Sequence, residues 1–329
     1  MTDTALLKKM PVIIDCDPGA DDVFALLWLL INHKFSDVAM EVIGITTVGG
    51  NVSADKTYAN AIRMCEFVGA TEIPVGKDHR QIVAQDAAHI HGNDGIGNLS
   101  TMLPPVQLPT TEKDSVDMII EAIHTHGKEL VLLVTGPMTN IALAEEREPG
   151  ILKQCKKIIA MGGAVNIHGN ITPVAEFNVF YDAQSAAKVF KATDNILLAP
   201  LDITTSMVFT AEDMENCFKH INHSTKQEFA RELTKFTIGT NMMFRETAYE
   251  KGFFVHDAHT VGLLLYPHLY SGTFHQVNVE TKWEFTTGET VVDTRNHARV
   301  SSNCFVATSF NKPLFLEALS EDLKKFDFE

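Results

Sequence analysis

Four aspartates lie within eight positions near the start of the chain, where an apolar, β-branched run meets an apolar helical pattern: Asp15, Asp17, Asp21 and Asp22. Carboxylates this close repel one another and raise one another's pKa unless a cation or hydrogen-bond donors hold them. Hard divalent cations favour such clusters of oxygen atoms. Because open α/β sheets bind ligands at the carboxyl ends of their strands, this run predicts a metal or phosphoryl site at the end of the first strand.

Helix capping is the alternative explanation for these acids. An aspartate at a helix start often accepts hydrogen bonds from free amides and faces the positive end of the helix dipole. That explanation accounts for Asp21 or Asp22. It does not account well for Asp15 and Asp17, which occupy alternate positions at a strand end and need partners there.

Polar residues elsewhere in the chain form weaker candidates. Glu176 and Asn178 alternate, so an extended segment would place both on one face, where they could bind sugar hydroxyls. The carbonyl of Thr135 ends a predicted strand and is a ligand type that calcium accepts. His256, next to Asp257, titrates in a useful range and could be a general acid. A turn, a helix cap or a structural histidine would explain each of these residues equally well when taken alone.

Two further runs are ambiguous. The residues from Thr46 to Asn51 end a predicted strand with two glycines, a composition typical of a polar loop. His89 and His91 are two positions apart, so a strand would present them as a metal-binding pair, although a solvated loop is the interpretation we favour. The sequence has no Gly-x-Ser-x-Gly nucleophile motif and no dinucleotide or Walker-type glycine pattern.

The charge balance and cysteine usage limit the possible partners. The 329 residues carry a net charge of −15, so there is no basic footprint for nonspecific nucleic acid binding. The five cysteines are scattered, which predicts reduced thiols rather than a disulfide framework or a zinc site. The first ten residues do not resemble a secretory signal, and no apolar run has the length of a membrane span. We therefore expect a cytoplasmic protein that binds neither nucleic acid nor membrane.

The elements that must position these residues alternate between strand and helix. The predicted strands of this part of the chain are Pro11 to Asp15, Met40 to Thr47, Glu72 to Val75, Leu130 to Thr135, Lys157 to Met161 and Asn195 to Ala199. The predicted helices between them are Asp21 to Asn32, Ala54 to Val68, Lys113 to Thr125, Asn140 to Glu148 and Ala183 to Lys191. This alternation predicts an α/β fold with a mostly parallel central sheet, helices on both faces and a Rossmann-like open topology. The active site is then expected at the C-terminal ends of the strands.

Two long segments interrupt the alternation. Gly76 to Leu108 contains the flap candidate 88–97, and Gly162 to Asn178 has an alternation that predicts an irregular hairpin. Both follow or flank strands, so they could converge over one end of the sheet. The remaining chain is predicted to be more helical, with Thr225 to Phe244 carrying a core stripe that includes Met243. The absence of repeats and linkers predicts one domain over residues 1–329.

Taken together, the motifs resemble the nucleoside hydrolase family, most closely its inosine-uridine-preferring branch. They appear in the family's order from residue 11 to about residue 267. The segments that carry the resemblance are Asp15 to Asp22, Thr46 to Asn51, His89 to Gly92, Thr135 to Asn140, Met161 to Gly163, Glu176 to Asn178 and Val255 to Asp257. Any one of these matches is weak, whereas the ordered series is highly specific.

The resemblance implies an N-ribohydrolase with a bound calcium ion (Ca2+) at the bottom of a ribose pocket. It implies calcium ligation by the carboxylates of Asp17, Asp22 and Asp257 and by the carbonyl of Thr135, with Asp17 also the general base. His256 would protonate the leaving group, and His91 would lie on the base side. The implied ribose contacts are Asp21, Asn51, Asn170, Glu176, Asn178 and Met161, with Asp15 in support behind them.

The residues are consistent with this chemistry. Cleavage of an N-glycosidic bond passes through an oxocarbenium-like sugar, which nearby carboxylates stabilise. Calcium can orient a water molecule and lower its pKa, so that direct attack on a free ribonucleoside needs no covalent intermediate. The helix before Val255 has Phe244, which could stack on a base but has no hydroxyl. The preference between purine and pyrimidine therefore stays open.

Two alternatives stay open beside the hydrolase. An Asp-x-Asp pair after a first strand also begins metal-dependent phosphatases, but the lysine and the second acidic motif of that chemistry are not identifiable. A non-catalytic nucleoside or ribose sensor would keep the pocket and lack the base or the acid. We expect a small-molecule ribonucleoside as the partner, and a homodimer or homotetramer as the assembly.

Overall fold

The structure is a computed structural model that describes residues 9–80, 86–103, 105–106, 111–219, 224–244, 247, 250–295 and 301–326. Its strands are β1 (Met10–Cys16), β2 (Met40–Thr47), β3 (Val75–Lys77), β4 (Lys113–Asp114), β5 (Val131–Val134), β6 (Lys157–Met161), β7 (Ile196–Ala199), β8 (Tyr270–His275), β9 (Val277–Val279), β10 (Thr290–Val292) and β11 (Cys304–Phe310). Its α-helices are α1 (Asp22–Phe35), α2 (Ala54–Val68), α3 (Ala88–His91), α4 (Ser115–His126), α5 (Thr139–Arg147), α6 (Phe177–Tyr181), α7 (Ala183–Ala192), α8 (Leu201–Thr204), α9 (Ala211–Phe218), α10 (Ser224–Phe244), α11 (Ala258–Leu265) and α12 (Lys312–Leu323).

The central sheet is mostly parallel, as the alternation predicts. In the part of the chain that the structure describes it has nine strands, in the order β4-β3-β2-β1-β5-β6-β7-β11-β8. Among the strand pairs described for this sheet, only β11–β8 is antiparallel. Strands β9 and β10 form a separate antiparallel ribbon. The central position of β1 means that the acidic run following it emerges in the middle of the sheet's carboxyl edge.

Helices cover both faces of this sheet, because its central strands are apolar along their whole length. Alternate residues of β5 illustrate the division. Val131 and Leu133 belong to the core that contains α1, α11 and α12. Leu132 and Val134 belong to the core that contains α4, α5 and α7. The α/β prediction with helices on both faces is therefore confirmed.

Most predicted elements are found, and the errors have physical causes. The predicted strand at Glu72 to Val75 lies instead at Val75–Lys77. The segment Gly162 to Asn178 is not a hairpin. The carboxylate of Glu176 accepts hydrogen bonds from the N–H groups of Asn178 and Val179, and this cap begins the short helix α6. Met243 is 73% exposed and lies outside the core.

The two histidines of the flap candidate lie on a helix, not on a strand or in an irregular loop. Helix α3 spans Ala88–His91, where His91 is largely buried and His89 is exposed. Of the long segment Gly76 to Leu108, residues 81–85, 104 and 107–108 lie outside the described residues. All five cysteines are free and buried. No helix in the described ranges is long and apolar enough to cross a membrane.

The carboxylate of Asp322 joins α12 to α1, and its removal is expected to destabilise the fold. Its Oδ2 accepts hydrogen bonds from Trp28 Nε1 at 2.7 Å and from Tyr266 Oη at 2.8 Å, and its Oδ1 accepts from Lys325 Nζ at 2.6 Å. Asp322→Ala would leave the buried indole N–H without an acceptor. We expect the free energy of unfolding, measured by urea denaturation, to fall by about 3 kcal/mol. Asp322→Asn keeps an acceptor and should lose clearly less. A loss below about 1 kcal/mol for alanine would contradict this role.

Candidate active site

Three carboxylates meet beyond the carboxyl end of β1. Asp21, Asp22 and Asp257 each place one oxygen so that these oxygens lie within 4.8 Å of one another. Asp22 begins α1 and Asp257 immediately precedes α11, so two helix starts bring them together. Asp17 and Asp22 are buried beneath the cavity described below, whereas Asp21 and Asp257 line it. The arrangement concentrates negative charge where the sequence predicts a metal.

The charges of these acids act on one another. Burial and the charges of Asp22 and Asp21 hold the pKa of Asp17 well above its usual range. Burial and the charge of Asp21 raise the pKa of Asp22 to about 7. Burial also raises the pKa of Asp257, together with the charges of Asp21, Asp22 and Asp17. These mutual effects place Asp17 in the same electrostatic cluster as the other three acids.

The backbone approaches Asp17 closely on two sides. A Cβ on Gly50 would lie 2.1 Å from Asp17 Oδ2, and a Cβ on Gly136 would lie 2.8 Å from Asp17 Oδ1. Both positions therefore require glycine. Asn51 N donates to Asp17 Oδ2 at 2.8 Å, while Asp17 Oδ1 is buried and has no hydrogen-bond partner among the described residues. One oxygen of Asp17 is thus held firmly and the other is left available.

Asp22 is fixed by donors from three segments. Its Oδ1 accepts from Thr135 Oγ1 at 2.8 Å, and its Oδ2 accepts from Gly19 N and Asn51 Nδ2 at 3.0 Å each. The loop after β2, the turn after β1 and the end of β5 therefore converge on a single carboxylate. Asn51 contributes twice to this convergence, since it holds both Asp17 and Asp22.

Asp15 lies behind this cluster and does not line the cavity. Its Oδ1 accepts hydrogen bonds from Thr46 Oγ1 at 2.7 Å and Asn140 Nδ2 at 2.8 Å. Asn140 in turn accepts from Arg80 Nη2 at 2.8 Å. Burial raises the pKa of Asp15 to about 7, against the effect of these donors. The position agrees with a supporting residue that connects β1, β2 and α5.

Hydrogen bonds to the backbone organise the sugar side of the site. Glu176 accepts from the N–H groups of Gly163, Asn178 and Val179, and its burial raises its pKa. Asn178 Nδ2 donates to the carbonyl of Thr135 at 2.7 Å. A carbonyl oxygen has two lone pairs, so the Thr135 carbonyl can accept this bond and still face a cation.

The remaining sugar-side candidates lie next to these residues. Met161 Sδ is 3.6 Å from Asn178 Nδ2, at the end of β6. Asn170 Oδ1 accepts from Phe177 N at 2.9 Å. Asn170 lies in the segment from Gly162 to Asn178, and it lines the cavity.

Two partly buried histidines line the cavity from different elements. His91 Nδ1 accepts from Ala20 N at 3.1 Å, which leaves its proton on Nε2. His256 Nδ1 lies 2.7 Å from Thr204 Oγ1. Burial lowers the pKa of both imidazoles. The sequence did not point to Thr204 as a site residue. The one feature that could have indicated it is its position soon after β7, at the same edge of the sheet.

These residues surround one cavity of about 270 Å³. The predicted residues in its lining are Asp21, Asn51, His91, Thr135, Met161, Asn170, Glu176, Asn178, Phe244, His256 and Asp257. The lining also includes Ala87, Thr237, Asn241 and Phe254, which the sequence did not point to. His89 and Ile90, from the segment that carries the family resemblance, line it as well. Helix α10 packs against α3, and residues of both helices line the cavity.

The outer side of the cavity combines aromatic and amide groups. Phe244 is 43% exposed, and its ring lies 5.2 Å from that of His89 in an edge-to-face arrangement. One turn before Phe244, Asn241 is buried and donates its Nδ2 to the carbonyl of Thr237 at 3.0 Å. The Oδ1 of Asn241 is thereby left to accept from a ligand. This side suits a flat, polar heterocycle.

The donor set fits a hard divalent cation. Neither Lys nor Arg occurs among the described residues that line the cavity, so the only basic side chains in that described lining are histidines. His91 Nδ1 lies 3.8 Å from Asp21 Oδ1. Asp17 Oδ1 and Asp21 Oδ1 are buried without hydrogen-bond partners in the described part of the chain. Buried carboxylates are stable when paired or when they coordinate a metal. An all-oxygen set of carboxylates and a carbonyl matches calcium or magnesium rather than a thiophilic metal.

The comparisons with known proteins agree with this fold and this site. Residues 12–317 match the family model described as inosine-uridine preferring nucleoside hydrolase. The chain therefore belongs to that family, and it is a nucleoside hydrolase that acts on ribonucleosides. The predicted family and enzyme class are thereby confirmed.

Individual relatives cover nearly the whole chain. An uncharacterized protein of Schizosaccharomyces pombe is 34% identical, over 95% of this chain and 99% of its own length. The pyrimidine-specific ribonucleoside hydrolase RihA of Enterobacter sp. is 31% identical, over 96% and 98%. The solved structure of a purine-preferring ribonucleoside hydrolase from Gardnerella vaginalis is 28% identical, covers 96% of this chain and 98% of its own, and has a TM-score of 0.85.

Proposed function

We propose that this hydrolase cleaves the N-glycosidic bond of free ribonucleosides such as inosine and uridine, with calcium at the acidic cluster and Asp17 as general base. The main support for this proposal is that buried acids lie below a cavity whose described lining has no Lys or Arg. The carboxylates of Asp17, Asp22 and Asp257 and the carbonyl of Thr135 would hold the ion. Calcium there would supply a positive charge that orients the ribose diol and lowers the pKa of water.

The residues around the sugar would fix its geometry. Glu176 and Asn178 are held by backbone and carbonyl contacts, so their free atoms are preorganised for ribose hydroxyls. Asp21, Asn51 and Asn170 would complete the sugar contacts from the cavity lining. Met161 would pack against the ring. Hydroxyls fixed on both sides would keep the anomeric carbon above the acids, where they stabilise the oxocarbenium-like charge.

The proton transfers follow from the free atoms of the acids and histidines. Asp17 Oδ1, which has no partner among the described residues, would accept the proton of the attacking water. In its protonated form, His256 would donate Nδ1–H to Thr204 Oγ1 and carry a second proton on Nε2. It would transfer the Nε2 proton to the departing base and become a neutral imidazole. His91 and Phe244 would contact the base. Direct attack by water on the anomeric carbon releases ribose and the free base.

The family match favours the hydrolase over the two alternatives left by the sequence. The match to the nucleoside hydrolase family over residues 12–317, with relatives and solved structures named as hydrolases, supports the hydrolase over a phosphatase or a non-catalytic sensor. The relatives named above include a pyrimidine-specific and a purine-preferring enzyme, so both purine and pyrimidine nucleosides are candidate substrates. The single domain, the homodimer or homotetramer and the cytoplasmic location stay predictions.

Removal of calcium provides a test of the ion. After chelation with EGTA and desalting, we expect turnover of inosine and uridine to fall roughly 100-fold or more, since the acids lose the ion that organises them. The unfolding temperature should fall by about 5 °C or more, because the ion stabilises only the folded state. Added calcium should restore both values.

A matched pair of variants separates this site from others. Asp257→Asn should lose most of the calcium-dependent rise in unfolding temperature, whereas Asp37→Asn, at an exposed position, should keep it. Full turnover after exhaustive chelation would overturn the calcium proposal.

A further inference from the structure

A second cavity, of about 300 Å³, borders the loop that holds Asp17. Gly49 and Ser53 line this cavity, while Asn51 between them lines the active-site cavity, and no described residue lines both. Tyr181 also lines the second cavity, and its burial, together with the nearby charge of Asp17, raises the pKa of this tyrosine to about 12. Pockets of about 300 Å³ and above hold small organic ligands. The chemistry of the lining indicates which kind of ligand.

One end of the second cavity is suited to an anion. Helix α2 is 15 residues long and begins at Ala54, and the side chain of its N-cap, Ser53, makes no capping hydrogen bond. The N–H groups of Ala54 and Asp55 donate to no acceptor in the described residues. Free N–H groups at the positive end of a helix form a ready anion site. Arg80 lies in the same lining.

The lysine and the arginine of the lining already bond protein groups. Lys77 Nζ pairs with Asp55 at 2.8 Å and with Glu112 at 3.0 Å. Arg80 donates Nε to Asp78 and Nη2 to Asn140, which leaves Nη1 for a ligand. The positive charge offered to a ligand therefore comes from one guanidinium nitrogen and the helix end.

Beside Arg80, the carboxylate of Asp78 has one oxygen without a donor among the described residues. Asp78 is 4% exposed and lines the cavity. Its Oδ1 accepts from Arg80 N at 2.9 Å and Arg80 Nε at 2.8 Å, whereas its Oδ2 is buried and has no partner among the described residues. A buried carboxylate oxygen without a donor is costly. A ligand that brings a hydroxyl group would remove this cost.

We propose that this cavity binds a small phosphorylated polyol, a ligand class that lies beyond the hydrolase activity. The phosphate would accept from the N-terminal N–H groups of α2, from Ser53 Oγ and from Arg80, while a hydroxyl would donate to Asp78 Oδ2. A phosphate suits this end better than a carboxylate, since its three oxygens match the larger number of donors. The hydroxyl distinguishes such a ligand from inorganic phosphate.

The test uses the calcium-loaded enzyme and isothermal titration calorimetry. The probes are sn-glycerol 3-phosphate, inorganic phosphate and glycerol. We expect glycerol 3-phosphate to bind with a Kd of about 1 mM and at least about tenfold more tightly than inorganic phosphate, because only the ester brings both a phosphate group and an alcohol hydroxyl for Asp78. Absence of binding at about twenty times that concentration would overturn the proposal, as would equal affinity for inorganic phosphate.

Two variants locate the binding. Asp78→Asn keeps an acceptor for Arg80 but replaces Oδ2 by a donor, and should weaken glycerol 3-phosphate at least about tenfold. Ala54→Pro removes one N–H group at the first helical position, where proline is tolerated, and should weaken both phosphate compounds. Ser53 already has extended backbone angles, as a residue before proline requires.

Lys157→Met, at an exposed position on β6, is the control and should bind as the wild type does. Unchanged affinity in both site variants would place the ligand elsewhere and overturn the proposal. Because calorimetry on this second cavity does not depend on turnover, its failure is distinguishable from failure of the proposed catalytic mechanism.

Discussion

Asp17→Asn is expected to lower kcat for inosine and uridine by roughly 10³- to 10⁴-fold while the protein stays folded. The amide can still accept the hydrogen bond from Asn51 N, so the loop after β2 keeps its anchor. The variant loses the basic oxygen that would take the proton of water, and it loses one negative charge of the cluster. Steady-state kinetics with both nucleosides, beside circular dichroism and the unfolding temperature, measures these effects.

Asp15→Asn is the matched control for this substitution. Asp15 touches Thr46 and Asn140 and does not line the cavity, so its loss should change kcat within about tenfold. The calcium-dependent rise in unfolding temperature, measured for Asp17→Asn, separates loss of the ion from loss of the base. Turnover of Asp17→Asn at the wild-type rate would rule out Asp17 as the base.

His256→Ala is expected to slow nucleosides far more than an activated substrate. Inosine and uridine release a base that needs a proton, so kcat should fall about 10²- to 10³-fold. p-Nitrophenyl riboside releases a stable phenolate and needs no proton, so its kcat should change less than about tenfold. The ratio of the two losses, measured under the same conditions, reports the acid function independently of any effect on folding.

Thr204→Val refines this prediction. It removes the hydroxyl that lies 2.7 Å from His256 Nδ1 and nearly conserves side-chain volume. We expect kcat to fall less than in His256→Ala, and again more for nucleosides than for p-nitrophenyl riboside. The imidazole is still present, but it lacks the hydroxyl that orients it. For the His256→Ala variant itself, an equal fall in kcat on nucleosides and on p-nitrophenyl riboside would rule out His256 as the general acid.

Local sequence patterns predict the central sheet well, for a physical reason. Uniformly apolar runs and helical periodicity depend on which faces are buried, and this information is contained in each segment. The strands Met40–Thr47 and Lys157–Met161 and the helix Ala54–Val68 therefore have the predicted bounds. Since parallel strands end at one edge, polar residues after β1, β2 and β5 could be assigned to a common site.

Other features depend on hydrogen bonds and packing that the pattern of residue types does not show. The alternation of Glu176 with Asn178 predicts a strand, but the Glu176 carboxylate caps α6, a local hydrogen bond that outweighs the pattern. Met243 follows the helical stripe but lies at the exposed end of α10. The resemblance implies that Asp17, Asp22 and Asp257 hold the ion, which stays a prediction. The structure brings one oxygen each of Asp21, Asp22 and Asp257 within 4.8 Å of one another, and so adds Asp21 to the cluster.

By itself the sequence determined the fold class, the family and the acidic edge at which the chemistry is expected, because burial patterns and motif order are properties of the chain. Tertiary structure alone decided that Thr204 lies against His256 and that α3 and α10 form the base side. It also decided that Asp78 stays without a donor in a second cavity. Such relations depend on how helices and loops pack after the sheet has formed, and no local periodicity encodes them.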